Sequence, residues 1–167
     1  MRNKPTRRRT ENLLGTSPFL FYFLSFTVGL PTTLGGCILA LIMLITGHKP
    51  ERFCRAVCFR TNGNSGMSLG VFIFVGKRCR EELLIHEFGH SVQNCLYGPL
   101  MPFVVNIPSF TRFHYRRFKT KFLHKRLLTG YEDIWFEAEA SALGRDYIKR
   151  LNAKARAVCD DNKNAQI

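Results

Sequence analysis

The pattern His86-Glu87-Phe88-Gly89-His90, set inside an apolar run, constrains this chain more than any other feature. No proline interrupts residues 81–98, and residues 81–85 are good helix formers, so a helix is predicted over residues 80–96. Positions four apart lie on one helix face, so His86 and His90 are expected to direct their imidazoles toward one point. Glu87 lies about 100° further round, at the edge of that face.

Two imidazoles on one helix face are typical of a metal site whose other ligands come from elsewhere in the chain. With one further ligand they leave a fourth zinc position open for water, which is the arrangement of a catalytic site. Zinc lowers the pKa of its bound water to roughly 7, and a neighbouring carboxylate accepts the proton as the water attacks a carbonyl. Glu87 is expected to be that carboxylate, because it reaches the water rather than the metal.

A second helix, predicted over residues 133–154, contains the best candidate for the third ligand. One carboxylate and three small residues share a side of this helix: Glu137, Ala140, Ser141 and Gly144. Small residues around a carboxylate let two helices approach closely, so the spacing favours Glu137 as a ligand. Glu139 points to another face and is the weaker candidate. Three residues in segments of unknown geometry remain alternatives: His114, His124 and Asp133.

The two motifs together resemble those of the short gluzincins, zinc metallopeptidases with a Glu-x-x-Ala third-ligand helix. The resemblance is carried by the His-Glu-x-x-His pattern and by Trp135-Phe136-Glu137-x-x-Ala140, and it extends over residues 19–147. The linking segments are similar to those of small membrane-associated bacterial members. The resemblance implies a zincin-like minimal catalytic domain with His86, His90 and Glu137 as zinc ligands and Glu87 as general base.

One position departs from this pattern. Many gluzincins place an aspartate four residues after the ligand glutamate, where it orients a ligand histidine, and this chain has Ser141 there. A hydroxyl can hold an imidazole N–H, but it makes the ring less basic than a carboxylate would.

Residues 48–167 are expected to form the catalytic domain, an α+β unit with a β-hairpin before the active-site helix. Strands are predicted over residues 53–60 and 68–75, the second from its β-branched and aromatic content. Residues 61–66 between them contain Asn-Gly, a strong hairpin signal. The edge of such a hairpin can hold an extended substrate by adding a strand. The alternative is that the strands only cover the helix.

The segment of residues 13–47 is expected to lie in a membrane, because residues 13–46 carry no charged side chain. A span needs about 20 apolar residues, so the segment is long for one helix and short for two. Pro31 and Gly35-Gly36 predict a break near its middle, which gives either one kinked span or a tight helical hairpin.

Charges on both flanks favour the hairpin. Five Lys/Arg lie in a basic tail, residues 1–12, and four more follow the apolar segment by residue 60. Both flanks stay on the cytoplasmic side only if the segment turns back, which places the catalytic domain in the cytoplasm. A cleaved signal peptide, a lipoprotein site at Leu34-Gly35-Gly36-Cys37 and a buried core helix are the alternatives. The lipoprotein interpretation is disfavoured because residues 38–45 remain strongly apolar.

The formal charge of +13 favours contact with an anionic surface. Residues 100–110 are apolar and are expected to form a loop on the headgroups or a wall of the cleft. Residues 112–126 hold seven Lys/Arg and no acid, interleaved with aromatic residues, which predicts an interfacial membrane segment. Nucleic-acid binding by base stacking and a solvated loop are the alternatives, and no specific nucleic acid is expected. The six cysteines form no Cys-x-x-Cys pair, and a reducing cytosol would leave them unpaired.

These observations predict a membrane-associated zinc peptidase whose partners are membrane lipids and a protein or peptide substrate. Zinc between His86, His90 and Glu137 would hold the attacking water, with Glu87 as base. Three residues are candidates for stabilising the oxyanion: Tyr131, His124 and Arg145. The alternative is a non-enzymatic basic membrane adaptor in which the metal site is structural or idle.

Overall fold

In the computed structural model, the apolar N-terminal segment, a small sheet and two further helices surround a main core, and two smaller clusters of buried apolar residues lie beside it. The structure describes residues 17–122 and 134–164, with side chains described over 17–121 and 134–153. Several regions and residues discussed above lie outside these ranges: residues 1–16, residues 123–126 with His124, Tyr131 and Asp133. Over the described ranges the fold is α+β, with five α-helices and four strands.

The sheet is mixed. Its strands are β1 (Pro50–Phe53), β2 (Ala56–Thr61), β3 (Gly66–Leu69) and β4 (Phe72–Gly76), in the order β1-β2-β4-β3. β1 and β2 are antiparallel, β2 and β4 are parallel, and β3 pairs antiparallel with β4. β3 is therefore an outer strand of the sheet.

The predicted single hairpin across residues 61–66 is wrong, because the strands on either side of that turn do not pair with each other. There are two hairpins instead, and they turn at Cys54-Arg55 and at Gly70-Val71. Gly70 has a φ of +65°, which glycine adopts without steric cost. This turn consequently divides the predicted strand of residues 68–75 into two parts, the last two residues of β3 and most of β4.

Helices α1 (Pro18–Phe26) and α2 (Leu30–Ile45) meet at 90°. The break lies at residues 27–29, before the predicted position at Pro31 and Gly35-Gly36. Pro31 instead lies in the first turn of α2, where its missing N–H costs no hydrogen bond. Over the described residues, neither helix alone is long and apolar enough to cross a membrane, whereas the bent pair has sufficient length and composition.

One face of this bent pair packs against the rest of the chain. The ring of Phe21 is 1% exposed and stacks on Phe88 with centroids 6.0 Å apart. Ser25 Oγ lies 3.2 Å from Cys95 Sγ, and Asn94 Nδ2 donates to Thr33 Oγ1 at 3.3 Å. The opposite face exposes large apolar side chains, including Phe19, Phe23, Leu34, Ile38, Leu41 and Ile45.

The remaining helices are α3 (Glu81–Tyr97), α4 (Ile107–Phe122) and α5 (Trp135–Asn164). The predicted active-site helix of residues 80–96 corresponds to α3, and the predicted ligand helix corresponds to the first part of the longer α5. Residues 100–110 were expected to form a loop on the headgroups or a wall of the cleft. They are helical, with a 3-10 turn (Gly98–Leu100) and a π turn (Pro102–Asn106) that lead directly into α4.

Five cysteines with described side chains are unpaired: Cys37, Cys54, Cys58, Cys79 and Cys95. Cys58 and Cys95 are buried in the core. Burial raises the pKa of the Cys95 thiol to about 11, so this group behaves as a small apolar residue at neutral pH.

Candidate metal centre

Helix α3 positions three of the predicted functional residues on neighbouring turns. His86 and His90 share a face, with ring centroids 4.8 Å apart and ring planes at 85°. His86 is half-buried, whereas Glu87 and His90 are 5% and 7% exposed. The i,i+4 spacing therefore brings both imidazoles to one point, as the sequence predicted.

Close packing of α5 against α3 brings in the carboxylate. A Cβ at Gly89 would overlap the carbonyl oxygen of Ala140, and a Cβ at Gly144 would overlap that of Ile85. The two backbones therefore touch at positions where only glycine fits. Glu137 enters the interface one turn before Ala140 and is 0% exposed. The small-residue side of α5 predicted from the sequence is the side that packs on α3.

The side chains of His86, His90 and Glu137 converge. Glu137 Oε2 lies 3.1 Å from His86 Nε2 and 3.2 Å from His90 Nε2. One ligand atom from each residue lies within 4.8 Å of the others, so the group could bind a metal ion. The other carboxylate oxygen, Glu137 Oε1, accepts a hydrogen bond of 2.6 Å from Ser109 Oγ.

A hydrogen-bonded chain behind His90 fixes the orientation of its ring. His90 Nδ1 lies 2.7 Å from Gln93 Oε1. Gln93 Nε2 donates to the Phe136 carbonyl at 2.8 Å and to Glu139 Oε2 at 2.9 Å, and Tyr97 Oη donates to the same Glu139 oxygen. Glu139, the weaker ligand candidate, is thus engaged behind the site rather than in it.

This chain of bonds determines which nitrogen of His90 carries a proton. The Phe136 carbonyl and the Glu139 carboxylate can only accept hydrogen bonds, so the NH₂ group of Gln93 must face them. The amide oxygen of Gln93 then faces His90, and His90 Nδ1 must donate to it. The Nε2 atom of neutral His90 then turns a lone pair toward Glu137 Oε2, which is also an acceptor. A cation must separate these two atoms, either an additional proton or a metal ion.

His86 is oriented by α5. Its Nδ1 lies 2.8 Å from Ser141 Oγ, so the hydroxyl that replaces the aspartate of the resembled pattern does contact the imidazole. This contact directs His86 Nε2 toward Glu137. Both rings therefore use Nδ1 for a protein partner and leave Nε2 for the common point, as metal-binding histidines do.

The charged groups influence one another's pKa values. Burial raises the pKa of Glu87 and outweighs the opposing influence of His90 and His86. Burial would also raise the pKa of Glu137, but hydrogen bonds with His86 and His90 outweigh it and hold that pKa below its ordinary value. Burial lowers the pKa of His90, but Glu137 and Glu87 more than offset this and raise it.

Glu87 stands apart from the three converging side chains. Its carboxylate lies against Gly66 at the start of β3, where a Cβ would overlap Glu87 Oε1. Glycine at this position leaves the space that the carboxylate occupies. Glu87 therefore faces the gap between α3 and the outer strand of the sheet.

That gap opens into a cavity of about 520 Å³, lined by His86, Glu87 and His90 together with β3 and α4. A second cavity of about 820 Å³ shares His86 and Glu87 with the first. His114 lines the first cavity, where its ring packs 4.2 Å from that of Phe110, and it is absent from the converging group. Arg145 is exposed and lines neither cavity, so the structure offers no support for it as an oxyanion donor.

Gln93 and Ser109 are site residues that the sequence did not identify. Gln93 follows His90 by three positions, so helical spacing alone was a usable signal for it. Ser109 belongs to α4, and no local pattern connects it to Glu137.

No family model, no curated protein and no solved structure matches this chain.

Proposed function

We propose that the chain is a membrane-associated zinc metallopeptidase of the gluzincin type, in which Glu87 acts as general base. One observation carries the proposal: three ligand atoms from two helices converge beside a buried carboxylate that is not one of them and that faces a cavity. A metal site that serves only the fold has no need of the added carboxylate or of access from a cavity.

Zinc is the proposed ion because of the donor set and its geometry. Two imidazole nitrogens and one carboxylate oxygen are a common catalytic zinc set. With bonds of about 2.0–2.1 Å at tetrahedral angles, ligand atoms lie about 3.4 Å apart. The distances of 3.1 Å and 3.2 Å from Glu137 Oε2 to the two Nε2 atoms are close to that value.

Bound zinc supplies a Lewis acid that acidifies a water ligand and polarises a carbonyl. Glu87 accepts the proton of that water and passes it to the leaving amine. Burial raises the pKa of Glu87, which makes its carboxylate a stronger base toward the proton of the water. Gln93 and Ser141 keep the two rings in the required orientation.

The outer strand β3 is proposed to hold the substrate. Within the described residues β3 pairs only with β4, so its other edge has free backbone donors and acceptors. Ser65 to Leu69 line the cavity beside Glu87. An extended peptide could add to this edge with its backbone, which brings a peptide carbonyl to the catalytic carboxylate.

Membrane association is proposed from the surface of the bent helix pair. Phe19 and Ile45 are 76% and 77% exposed, and apolar side chains continue between them. Helix α4 adds exposed Phe110, Tyr115 and Phe118 among basic residues. Such a surface suits contact with anionic phospholipid. The charges on both sides of the pair favour a cytoplasmic catalytic domain.

The test uses the full-length chain in detergent, with metal content measured by elemental analysis and cleavage measured on a mixed peptide library. We expect one zinc per chain, peptide hydrolysis by the wild type, and retained zinc with at least a hundredfold lower activity in Glu87→Gln. A preparation without stoichiometric zinc, or equal hydrolysis by Glu87→Gln, would overturn the proposal. Zinc without hydrolysis in either protein would favour the adaptor alternative.

A further inference from the structure

We propose that the site selects peptides carrying apolar residues on one side of the cleaved bond and carboxylate groups on the other. The inference rests on the proposed peptidase function and assigns its substrate class. It derives from the different chemistry of the two cavities that meet at the metal centre.

The first cavity is largely apolar. Its lining includes the aliphatic, aromatic and thioether side chains of Met67, Leu69, Phe74, Val105, Ile107 and Phe110. They come from both walls, the sheet on one side and the helical segment leading into α4 on the other. An apolar side chain that enters this cavity leaves water on both of its faces, so burial favours its binding.

The second cavity is basic. Four arginines line it: Arg78, Arg80, Arg116 and Arg117. Two of them precede α3 and two lie on α4, so positive charge comes from both walls. Away from the metal centre, Glu82 is the acidic residue lining this cavity. Four guanidinium groups against the two carboxylates of Glu82 and Glu87 leave a field that attracts anionic groups, and guanidinium pairs with carboxylate through two parallel hydrogen bonds.

The two cavities share the catalytic end of α3. His86 and Glu87 line both, together with Ser65, Gly66 and Phe113. A peptide whose carbonyl lies at Glu87 therefore extends into the apolar cavity in one direction and into the basic cavity in the other. Arginines line the second cavity, whereas no lysine or arginine among the described residues lines the first, so the charge that a peptide meets depends on the side of the bond.

Within a peptide the anionic group is either an acidic side chain or the C-terminal carboxylate. Both present the same carboxylate to the arginines. We expect acidic side chains to suffice, because Arg78 and Arg117 are exposed at the cavity walls rather than enclosed around a chain end. Peptides with amidated and free C-termini separate the two sources.

The test measures peptide binding to zinc-loaded Glu87→Gln by calorimetry, so that no turnover is needed. The peptides carry a leucine block next to an aspartate, serine or lysine block, in both orders and with amidated ends. We expect one leucine–aspartate order to bind at least fivefold more tightly than its serine counterpart, and the lysine peptides to bind most weakly. A free C-terminal carboxylate on the leucine–serine peptide should restore part of the difference.

Charge-removal variants connect the preference to the cavity. Arg78→Gln with Arg117→Gln should reduce the aspartate-over-serine preference by roughly twofold to thirtyfold, the range for two exposed ion pairs. Lys77→Gln with Lys149→Gln removes the same charge at exposed positions outside both cavities and should leave the preference unchanged.

Equal binding of aspartate and serine peptides in both orders would overturn the inference, as would an equal effect of the two double variants. Failure of the peptidase function has a different signature. A wild type that shows the binding preference but cleaves no peptide refutes the peptidase, whereas one that cleaves leucine–serine and leucine–aspartate peptides equally refutes the specificity alone.

Discussion

Gln93 Oε1 lies 2.7 Å from His90 Nδ1 and thereby fixes which nitrogen of that imidazole faces Glu137. The same amide group bridges α3 to α5 through the Phe136 carbonyl and Glu139. The neutral, fully buried side chain of Gln93 thus links the orientation of His90 to the packing of α5, the helix that carries Glu137.

Substitution of Gln93 by leucine should weaken metal binding without removing a ligand. The variant keeps a similar side-chain volume but loses the acceptor for His90 and both donor contacts. Loss of such an outer hydrogen bond typically lowers metal affinity about 10–100-fold. Competition for zinc with a chromogenic chelator measures the change. Equal zinc affinity in Gln93→Leu and the wild type would contradict this role.

The serine at position 141 permits a test in both directions. Ser141→Ala removes the partner of His86 Nδ1 and should lower zinc affinity by roughly tenfold. Ser141→Asp supplies a carboxylate that makes the ring more basic, so its affinity for zinc should exceed that of Ser141→Ala and equal or exceed that of the wild type. The same chelator competition gives both values. Equal affinity in all three proteins would show that the hydroxyl contact contributes nothing.

If Glu87 is the general base proposed above, a methyl group at Gly66 should displace its carboxylate and leave metal binding intact. The added Cβ would overlap Glu87 Oε1, which lies at the end of a flexible side chain, so the carboxylate moves and the fold persists. General-base catalysis contributes about 10²–10⁴-fold, so kcat of Gly66→Ala should fall within that range while bound zinc stays stoichiometric.

Gly63→Ala is the matched control for this change. The nearest atom to its Cβ would be Thr61 Oγ1 at 3.7 Å, an ordinary contact, so kcat should not change. Equal kcat in the wild type and Gly66→Ala would mean that Glu87 does not act from the position described.

A methyl group at Gly144 should separate α3 and α5, the two helices that carry the candidate ligands. Its Cβ would overlap the backbone carbonyl of Ile85, which cannot move alone, so α5 must shift away from α3. Overpacking of this kind costs about 1–3 kcal/mol of unfolding free energy, and it should also weaken zinc binding because Glu137 moves with the helix. Chemical denaturation of the zinc-free and zinc-loaded protein measures both effects.

Gly35→Ala is the comparison for Gly144→Ala. It lies inside α2 with no atom within 4 Å of the added Cβ. Alanine in a helix interior is favoured over glycine by about 0.5–1 kcal/mol, so this variant should be slightly more stable than the wild type. Similar destabilisation by both substitutions would contradict the close-packing argument.

The converging group was largely predictable because its signals are local. The His86–His90 spacing, the position of Glu137 and the small residues after it all follow from helical periodicity within two short segments. The periodicity of α5 also predicted which of its sides packs on α3. Ser109 was not predictable, since it reaches Glu137 from a third helix through tertiary structure alone.

The sheet and the helix break were predicted less well because non-local contacts decide them. β2 pairs in parallel with β4. The turn residues 61–66 predict an antiparallel hairpin and give no indication of that parallel pairing. The break between α1 and α2 falls at residues 27–29, where Asn94 Nδ2 donates to the Gly29 carbonyl from 65 positions away. Pro31 and Gly35-Gly36 are the helix-breaking residues that the local sequence shows. The hydrogen bond from Asn94 to Gly29 is a long-range contact that the local sequence does not show.

The inner face of the bent helix pair has a consequence for work with shortened chains. Phe21 belongs to the same core cluster as Phe88, Val92 and Cys95. The bent helix pair therefore covers the face of α3 that lies opposite the two imidazoles. A chain begun at residue 48 would expose that face to water. The bent helix pair therefore supports α3, which carries two of the three candidate ligands, and deleting the pair to gain solubility would remove that support.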